Sequence, residues 1–392
     1  AICNRLHSSF SGNGLVSTRN VGSDSFEDEP AVMAAGAQAQ KREIPEKALA
    51  QKIARIQDVA KEAGVSTATV SRALSNPELL TEATRDIVFA AIRSTGYRVN
   101  RAARNLRTQQ AGAILVLVPN LGNPFFSQIL AGISASFGNR DYSVLIADTK
   151  DHATSGKHVV DYFLDAQIDG MICLDGAISH QELQLFEDNG VSGKIVFACE
   201  WAHDVALPSV RSDNVRGAQL AVRHLYDLGH RKIAHITGPQ ENVLTHARRE
   251  GMLAERARLE LPAREEWIIR GDFSLESGRM AGERILAMND RPTAVFCASD
   301  QVAFGLISTL TANGVRVPED ISVVGFDDIE LSEFYVPALT TIRQDRRALG
   351  ARAVSLLLDC IDVAHTRPDV VMEPVMVDVE LVVRASAVPP VC

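Results

Sequence analysis

The chain has 392 residues, of which 46% are hydrophobic and 23% charged, an ordinary composition for a globular protein with room for two or three domains. Its formal net charge of −9 argues against a chain that is basic throughout, and no apolar run reaches the length of about 18 residues that a membrane span needs. The six cysteines are scattered without C-x-x-C spacing, which excludes that type of metal or redox motif and fits a reducing cytosol.

The first 52 residues are rich in Ser, Gly, Asn and Ala, include the acidic stretch DSFEDEP and show no hydrophobic periodicity. Such a composition predicts a disordered extension over residues 1–52. A basic start followed by an apolar core is lacking, so the sequence predicts no secretory signal. We therefore expect a cytoplasmic protein without a membrane partner.

Residues 53–98 contain three short helical patterns. In IQDVAKEAG, apolar residues recur with helical spacing until Gly64, which predicts a helix that stops at this glycine. A second helix is predicted to begin after Ser66, a good N-cap residue, although its sequence offers few apolar positions. A third is capped by Thr81 and carries an apolar stripe that starts at Ile87. Two short helices joined by a glycine-containing turn and followed by a third are typical of a helix-turn-helix headpiece.

Basic residues are concentrated in the same part of the chain. Between Lys52 and Thr108 there are ten basic and five acidic residues, a net charge of +5, so the remainder of the chain carries −14. A compact basic segment on an acidic body is typical of an appendage that binds nucleic acid. A solvated protein surface has a similar composition, and charge alone leaves both interpretations open.

From Gly112 onward, apolar runs rich in β-branched residues alternate with amphipathic helical patterns. The first run, GAILVLVP, is typical of a parallel strand that is covered on both faces. Further strands are predicted at Ser143–Asp148, Asp169–Leu174, Lys194–Cys199, Lys232–Gly238, Ala294–Ser299 and Ile321–Asp327. Repeated β-α units predict doubly wound sheets, and their number between residues 111 and 388 predicts two such lobes with a cleft between them.

Several stretches follow one another along residues 55–387, among them IQDVAKEAGVSTATVSRAL, GYRVNRAARNLRT, HLYDLGHRKIAHITGP, ASDQVAFG and VPEDISVVGFDD. Together they resemble, in the expected order, the LacI/GalR family of bacterial transcription regulators. The first is similar to the family's DNA-binding headpiece and the second to its hinge helix. Within the family, STATVSRALSNP, GDFSLESG, PTAVFCASD and FDDIELSEF are most similar to the nucleoside-responsive branch of the cytidine repressor.

The resemblance implies a fold and a set of partners. It implies an all-α helix-turn-helix headpiece at residues 53–98, a hinge helix and linker at 99–110, an α/β core at 111–388 and a tail at 389–392. The core would be of the periplasmic-binding-protein type, with two doubly wound lobes that bind an effector and form a homodimer. The implied partners are a double-stranded DNA operator and a small-molecule effector.

The resemblance assigns DNA contacts to the second predicted helix. Thr67, Ala68 and Arg72 match the family's base-reading positions. Arginine can bridge guanine O6 and N7, and small side chains can pack on a thymine methyl group. Phosphate contacts or helix capping are expected of Ser66, Thr69 and Ser71. An exposed helix without a DNA function is the alternative that the motif alone leaves open.

The stretch RAARNL matches the family's hinge helix. Leu106 matches the leucine that the family inserts into the minor groove, which unstacks a base step and bends the operator. Contacts to phosphates or groove walls are expected of Asn100, Arg101, Ala103 and Arg104. Three arginines within seven residues disfavour a core position for Leu106. Val99 stands where the family usually has proline, so the hinge begins with less pre-organisation.

The resemblance also implies an effector site between the lobes. Phe125 and Phe126 match positions that line or stack on the ligand, and Phe273 matches an aromatic residue that stacks on a ring. Arg248 matches an arginine that binds a hydroxyl or carboxyl group, and Asp327 an aspartate that holds two sugar hydroxyls. From the sequence alone, the two adjacent phenylalanines can also be core residues, and Asp327 or Asp328 can also cap a following helix.

One position of the implied site departs from the family. Cys199 stands where many members have an aspartate, and Glu200 follows it. Either Glu200 replaces the missing carboxylate, or the ligand has no sugar at that end of the site.

The residue types at this site suit a nucleoside such as cytidine, because a flat base can stack on aromatic rings and a ribose diol can bind a carboxylate. A sugar effector is the alternative within the family. A periplasmic solute-binding protein without DNA function is disfavoured by the basic segment and the missing signal. An enzyme is disfavoured because there is no nucleophile–base pair, no glycine-rich phosphate loop and no metal-ligand spacing, so we expect no catalytic residue, cofactor or metal.

Overall fold

The computed structural model describes residues 54–98, 110–138, 142–149, 158–203, 205–364 and 373–391. They belong to two compact units that divide between Arg98 and Val99. The predicted hinge contacts lie outside the described residues; these are Asn100, Arg101, Ala103, Arg104 and Leu106.

The N-terminal unit contains the helices α1 (Ile56–Ala63), α2 (Thr67–Ser75) and α3 (Glu82–Thr95). Val59, Val70 and Val88, one from each helix, are fully buried and form its core. Helix α1 ends as predicted at Gly64, whose φ of 65° is a left-handed conformation that favours glycine. The prediction that Ile87 belongs to the buried stripe is wrong, since it is 52% exposed. Adjacent helical residues point about 100° apart, so burial of Val88 turns Ile87 towards solvent.

The strands of the C-terminal unit are β1 (Ala113–Val118), β2 (Ser143–Asp148), β3 (Gly170–Cys173), β4 (Ile195–Ala198), β5 (Ser209–Ser212), β6 (Ile233–Ile236), β7 (Ile268–Ile269), β8 (Ala294–Cys297), β9 (Ser322–Asp327), β10 (Thr340–Gln344), β11 (Val375–Val377) and β12 (Val379–Val382). The helices are α4 (Phe125–Ser136), α5 (Val160–Leu164), α6 (His180–Asp188), α7 (Asn214–Asp227), α8 (Val243–Arg258), α9 (Leu275–Leu286), α10 (Asp300–Ala312), α11 (Leu331–Phe334) and α12 (Arg346–Ala364).

These strands form two sheets. The first has the order β11-β5-β4-β3-β1-β2 and is parallel throughout. The second has the order β12-β10-β9-β8-β6-β7, in which β12 runs antiparallel to β10. Every residue of β1 is buried, as its apolar run predicts, because helices cover both faces of the sheet. Each sheet with its helices is one lobe, which confirms the two-lobed α/β core.

The chain passes between the lobes through single residues. Asp213 links β5 to α7, Asp345 links β10 to α12, and Asp378 links β11 to β12. Helix α12 returns to the first lobe and packs against α4, where a Cβ atom at Gly132 would lie 2.3 Å from the carbonyl oxygen of Arg347. Glycine therefore permits the backbones of these two helices to touch. The short links place the carboxyl ends of the strands of both sheets on one shared cleft.

Candidate functional site

Helix α2 presents an outward surface of small side chains and one arginine. Val70 and Ala73 are buried, whereas Thr67, Ala68 and Arg72 are exposed. Within residues 54–98, no acidic side chain forms an ion pair with Arg72. The three residues predicted to read bases thus lie on the solvent-facing side of α2, and the Arg72 guanidinium is available for another molecule.

Ser66 is the N-cap of α2. Its hydroxyl oxygen accepts a hydrogen bond of 3.1 Å from the Thr69 N–H, and the two side-chain hydroxyls lie 2.9 Å apart. Thr69 and Ser71 are half-buried. A contact of these three residues with DNA phosphates stays a prediction.

A small pocket of about 40 Å³, partly open to solvent, lies between the two lobes of the C-terminal unit. Its walls are formed by Asn123, Phe125, Phe126, Cys199, Glu200, Leu244, Arg248, Phe273, Ser299 and Asp327. The structure therefore brings together all seven residues that the sequence assigned to an effector site. It adds Asn123, Leu244 and Ser299, which the sequence did not single out. Ser299 lies inside the motif ASDQVAFG, which was the available signal for it.

The pocket is assembled from strand ends. In the first lobe, Phe125 opens α4 after β1, and Cys199 follows β4 directly. In the second lobe, Arg248 lies on α8 after β6, Ser299 follows β8, and Asp327 ends β9. Ligands of doubly wound sheets bind in this position, outside the carboxyl ends of parallel strands.

Three aromatic rings contribute to the pocket walls. Phe125 and Phe126 meet edge to face, with ring centroids 5.1 Å apart, and are 5% and 6% exposed. Phe125 and Phe126 line the pocket and also pack into the core of the lobe, so they are both pocket residues and core residues. Phe273, from the second lobe, is half-buried and leaves part of its ring surface accessible. Such rings can hold a flat ligand from two sides.

Arg248 is the cationic residue of the pocket lining and is almost fully buried, with 2% exposure. Its Nε donates a hydrogen bond of 2.9 Å to Asn214, and its guanidinium also donates to the Ala298 carbonyl oxygen. The same group lies 3.8 Å from the ring centroid of Phe326 and 3.6 Å from a carboxylate oxygen of Asp327. Burial lowers the pKa of Arg248, and the Asp327 carboxylate opposes that effect. The hydrogen bonds to Asn214 and Ala298 fix the orientation of the guanidinium.

Asp327 faces Arg248 and is buried beside a second aspartate, Asp300. Gln344 donates a hydrogen bond of 2.8 Å to Asp327. Burial raises the pKa of Asp327, and Arg248 and Arg346 counteract this. Asp327 does not cap the following helix α11, whose N-cap is Glu330, so the capping interpretation is wrong. Its carboxylate lines the pocket beside Arg248.

Glu200 forms part of the first-lobe wall of the pocket. Its carboxylate accepts a hydrogen bond of 2.9 Å from the Gly176 N–H, and it lies near the side chain of Asn242, the N-cap of α8 in the second lobe. It is 6% exposed, and burial raises its pKa from 4.5 to about 7. Cys199 beside it is 2% exposed, and burial raises the pKa of its thiol, so it stays neutral. The polar group at this end of the pocket is Glu200.

Three pocket residues have positive φ angles. Cys199 lies at 71°, Phe273 at 67° and Asp327 at 120°. Non-glycine residues in this region each carry backbone strain of about 1–3 kcal/mol, and such strain concentrates at ligand sites. The surrounding fold therefore holds these side chains in positions that an unconstrained chain would avoid.

Replacement of Glu200 by glutamine should change how stability depends on pH. Folding raises the pKa of Glu200, so the contribution of this group to the free energy of unfolding falls as pH rises from 4.5 to about 7. Above that pH the loss levels off. Glu200→Gln keeps an acceptor for Gly176 and removes the buried charge. We expect a free energy of unfolding about 1–3 kcal/mol above that of the unmodified protein at pH 8, and no gain at pH 4.

Urea denaturation at several pH values measures this difference. Glu187→Gln, on the exposed surface of α6, is the matched control and should leave the pH profile unchanged. Parallel profiles for Glu200→Gln and the unmodified protein would contradict the assignment of a buried, titrating Glu200.

Among the described residues, no group of three or more His, Cys, Asp or Glu side chains is arranged to hold a metal ion. No helix in the described part of the chain is long and apolar enough to cross a membrane.

Comparisons with known proteins agree with this architecture. Residues 55–100 match the model of the bacterial regulatory proteins of the lacI family, and residues 222–387 match the periplasmic binding protein-like domain. The transcriptional repressor CytR of Escherichia coli is 40% identical over 333 residues, which is 85% of this chain and 96% of that protein. The transcriptional repressor PurR of Photobacterium profundum is 34% identical and covers 85% of this chain and 98% of its own.

A crystal structure of the lac repressor dimer, bound to operator and the anti-inducer ONPF, superimposes with a TM-score of 0.73 at 31% identity. The match covers 86% of this chain and all of that one. Sequence identity of this extent covers both units, and the headpiece and the interlobe pocket agree with it. The chain belongs to the lacI family of bacterial regulatory proteins and is a transcriptional regulator with a helix-turn-helix DNA-binding unit and an effector-binding core.

Proposed function

We propose that this protein is a homodimeric cytoplasmic repressor whose affinity for a DNA operator is set by a nucleoside, such as cytidine, bound between the lobes. The observation that carries the choice of effector is the pocket, which combines aromatic rings with buried polar groups of both signs. We propose a binding role and no catalysis, in line with relatives that are transcriptional repressors.

A nucleoside fits the distribution of groups around the pocket. Its base can stack between Phe273 and the Phe125–Phe126 pair. Its ribose diol can donate to Asp327, and Arg248 can donate to a ribose oxygen. Glu200, with a pKa near neutrality, can accept from or donate to the polar edge of the base.

The headpiece supports the proposed operator contact. Arg72 is exposed and unpaired within its unit, and Thr67 and Ala68 beside it are small enough to let α2 approach base edges. Insertion of Leu106 into the minor groove stays a prediction, since the hinge lies outside the described residues.

Exposed apolar side chains on the second lobe support a dimer. They are Leu275, Met280, Leu331, Phe334 and Val336, of which Phe334 and Val336 are 74% and 86% exposed. Leu275 and Met280 lie on α9, Leu331 and Phe334 on α11, and Val336 follows α11. Both helices pack on the same part of α10, where Gly305 meets the backbone of Leu275 and the Phe304 ring packs on Tyr335 with centroids 4.5 Å apart. A cluster of this kind marks a protein interface.

Thermal unfolding of the full chain with cytidine, adenosine, ribose and a hexose tests the effector. Cytidine at about a hundredfold excess over its Kd should raise the melting temperature by about 5 °C. The Asp327→Asn variant should lose most of this rise, because its amide is a poorer partner for two hydroxyl groups.

A sugar is the second candidate, favoured by the polar pair of Arg248 and Asp327. A rise in melting temperature with a free sugar but with no nucleoside would replace the nucleoside by this alternative.

A further inference from the structure

We propose that a second pocket of the second lobe binds a small phosphate-bearing molecule. The pocket is separate from the effector site and is lined by Thr237, Gln240, Thr245, His246, Arg249, Glu265, Ile268 and Arg270. Its volume is about 380 Å³.

The second pocket lies on a different face of the helix that forms the effector site. Leu244 and Arg248 of α8, four residues apart, face the effector pocket. Thr245 and Arg249 follow them by one position and face the second pocket. Thr237 follows β6 and Arg270 follows β7, so this pocket also lies at the carboxyl ends of parallel strands. That is the usual ligand position of a doubly wound sheet.

Positive charge at the second pocket is not compensated. Among the described residues, no carboxylate forms an ion pair with Arg249 or Arg270, although other arginines of this lobe, such as Arg258 and Arg316, are paired. Partial burial and the neighbouring Arg249 guanidinium lower the pKa of Arg256, which is likewise without an ion pair in the described part of the chain. Glu265 is the acidic residue of the lining, so the two lining arginines leave a net positive wall.

A buried hydroxyl group without a partner adds an independent observation. Thr245 lines the second pocket and is 5% exposed, yet its hydroxyl oxygen has no hydrogen-bond partner in the described structure. Buried polar groups are nearly always satisfied, and we infer that a ligand in the second pocket supplies the partner that this hydroxyl lacks.

The donor types select the ligand class. Arginine guanidinium groups bind phosphate oxygens through paired charge-assisted hydrogen bonds, and threonine, glutamine and histidine side chains can donate to the remaining oxygens. The volume exceeds that of inorganic phosphate, and Glu265 can accept from a hydroxyl group of the ligand. A phosphate monoester of a sugar or nucleoside therefore fits better than phosphate alone.

Isothermal titration calorimetry of the full chain with ribose 5-phosphate tests the proposal, with ribose as the uncharged probe. We expect saturable binding of ribose 5-phosphate that weakens with added salt. Arg249→Gln and Arg270→Gln should each weaken it by about tenfold or more, since each removes a charge-assisted hydrogen bond. Arg291→Gln, which removes one exposed arginine elsewhere in the lobe, should leave the affinity unchanged.

Thr245→Val separates a ligand contact from a structural role. Because the Thr245 hydroxyl is orphaned, the variant should unfold at the same temperature as the unmodified protein, or higher, without ligand, and bind ribose 5-phosphate more weakly. Absence of saturable binding would overturn the proposal, and so would equal affinity for the unmodified protein and both arginine variants. These outcomes leave the nucleoside assignment untouched, because cytidine binding is measured in the other pocket.

Discussion

Arg72→Ala is expected to lose about 1–3 kcal/mol of operator affinity per half-site and to lose discrimination at one base position. Arg72 is exposed on α2, without an acidic partner within residues 54–98, while Val70 and Ala73 hold the opposite side of the helix in the core. Because Arg72 is the long side chain on a face of small ones, we expect it to form most of the hydrogen bonds between this face and the base edges. Titration of an operator selected from random DNA, and of its single-base variants, measures both effects.

Arg93→Ala is the matched control for this experiment. Arg93 is exposed at the end of α3, outside the predicted reading surface, so its removal should cost little and should not change base preference. If Arg72→Ala weakened binding equally on every DNA sequence, Arg72 would be a phosphate contact and its base-reading assignment would be wrong.

Arg248→Met is expected to abolish the effector response and to destabilise the C-terminal unit by about 3–5 kcal/mol. The guanidinium is 2% exposed and holds Asn214, the Ala298 carbonyl and Asp327 at once. Methionine fills similar space but leaves these acceptors unpaired and Asp327 without its nearest cation. Urea denaturation measures the loss of stability, and calorimetry with cytidine measures the loss of binding.

A double-mutant cycle isolates the ionic part of this effect. Asp327→Asn removes the buried charge that Arg248→Met would leave unpaired, so the double variant should be more stable than the sum of the single changes predicts. Arg291→Met, at an exposed position, should change stability little. Additive effects of the two pocket variants would show that Arg248 acts through packing rather than through its pairing with Asp327.

The sequence was sufficient for the fold class and for the residues that meet at the pocket. Phe125, Cys199 and Asp327 lie at the start of a helix or at the end of a strand, and Arg248 lies in the second turn of α8. Parallel topology brings such positions to one edge. The strands β5, β7, β10, β11 and β12 were not predicted. β7 and β11 have only two and three residues, and β5 and β10, with the sequences SVRS and TTIRQ, lack a continuous apolar run.

Contacts between residues far apart in sequence could not be predicted. Arg248 donates a hydrogen bond to Asn214, 34 residues away in the sequence, and Gln344 donates one to Asp327, 17 residues away. Neither spacing corresponds to a recognisable sequence motif. The positive φ angles of Cys199 and Phe273 also depend on tertiary packing, since neither residue type favours this conformation. The second pocket escaped sequence analysis for the same reason, because its arginines come from α8 and the end of β7.

The central claim is that a ligand in the interlobe pocket changes operator affinity, and a gel-shift titration of the full chain with and without cytidine tests it most directly. The selected operator should bind in a salt-dependent manner, and saturating cytidine should change its Kd by about 5- to 150-fold, corresponding to a coupling free energy of about 1–3 kcal/mol. Asp327→Asn should bind the operator but lose this change. An operator Kd that is identical with and without cytidine, adenosine and the sugars would contradict the account.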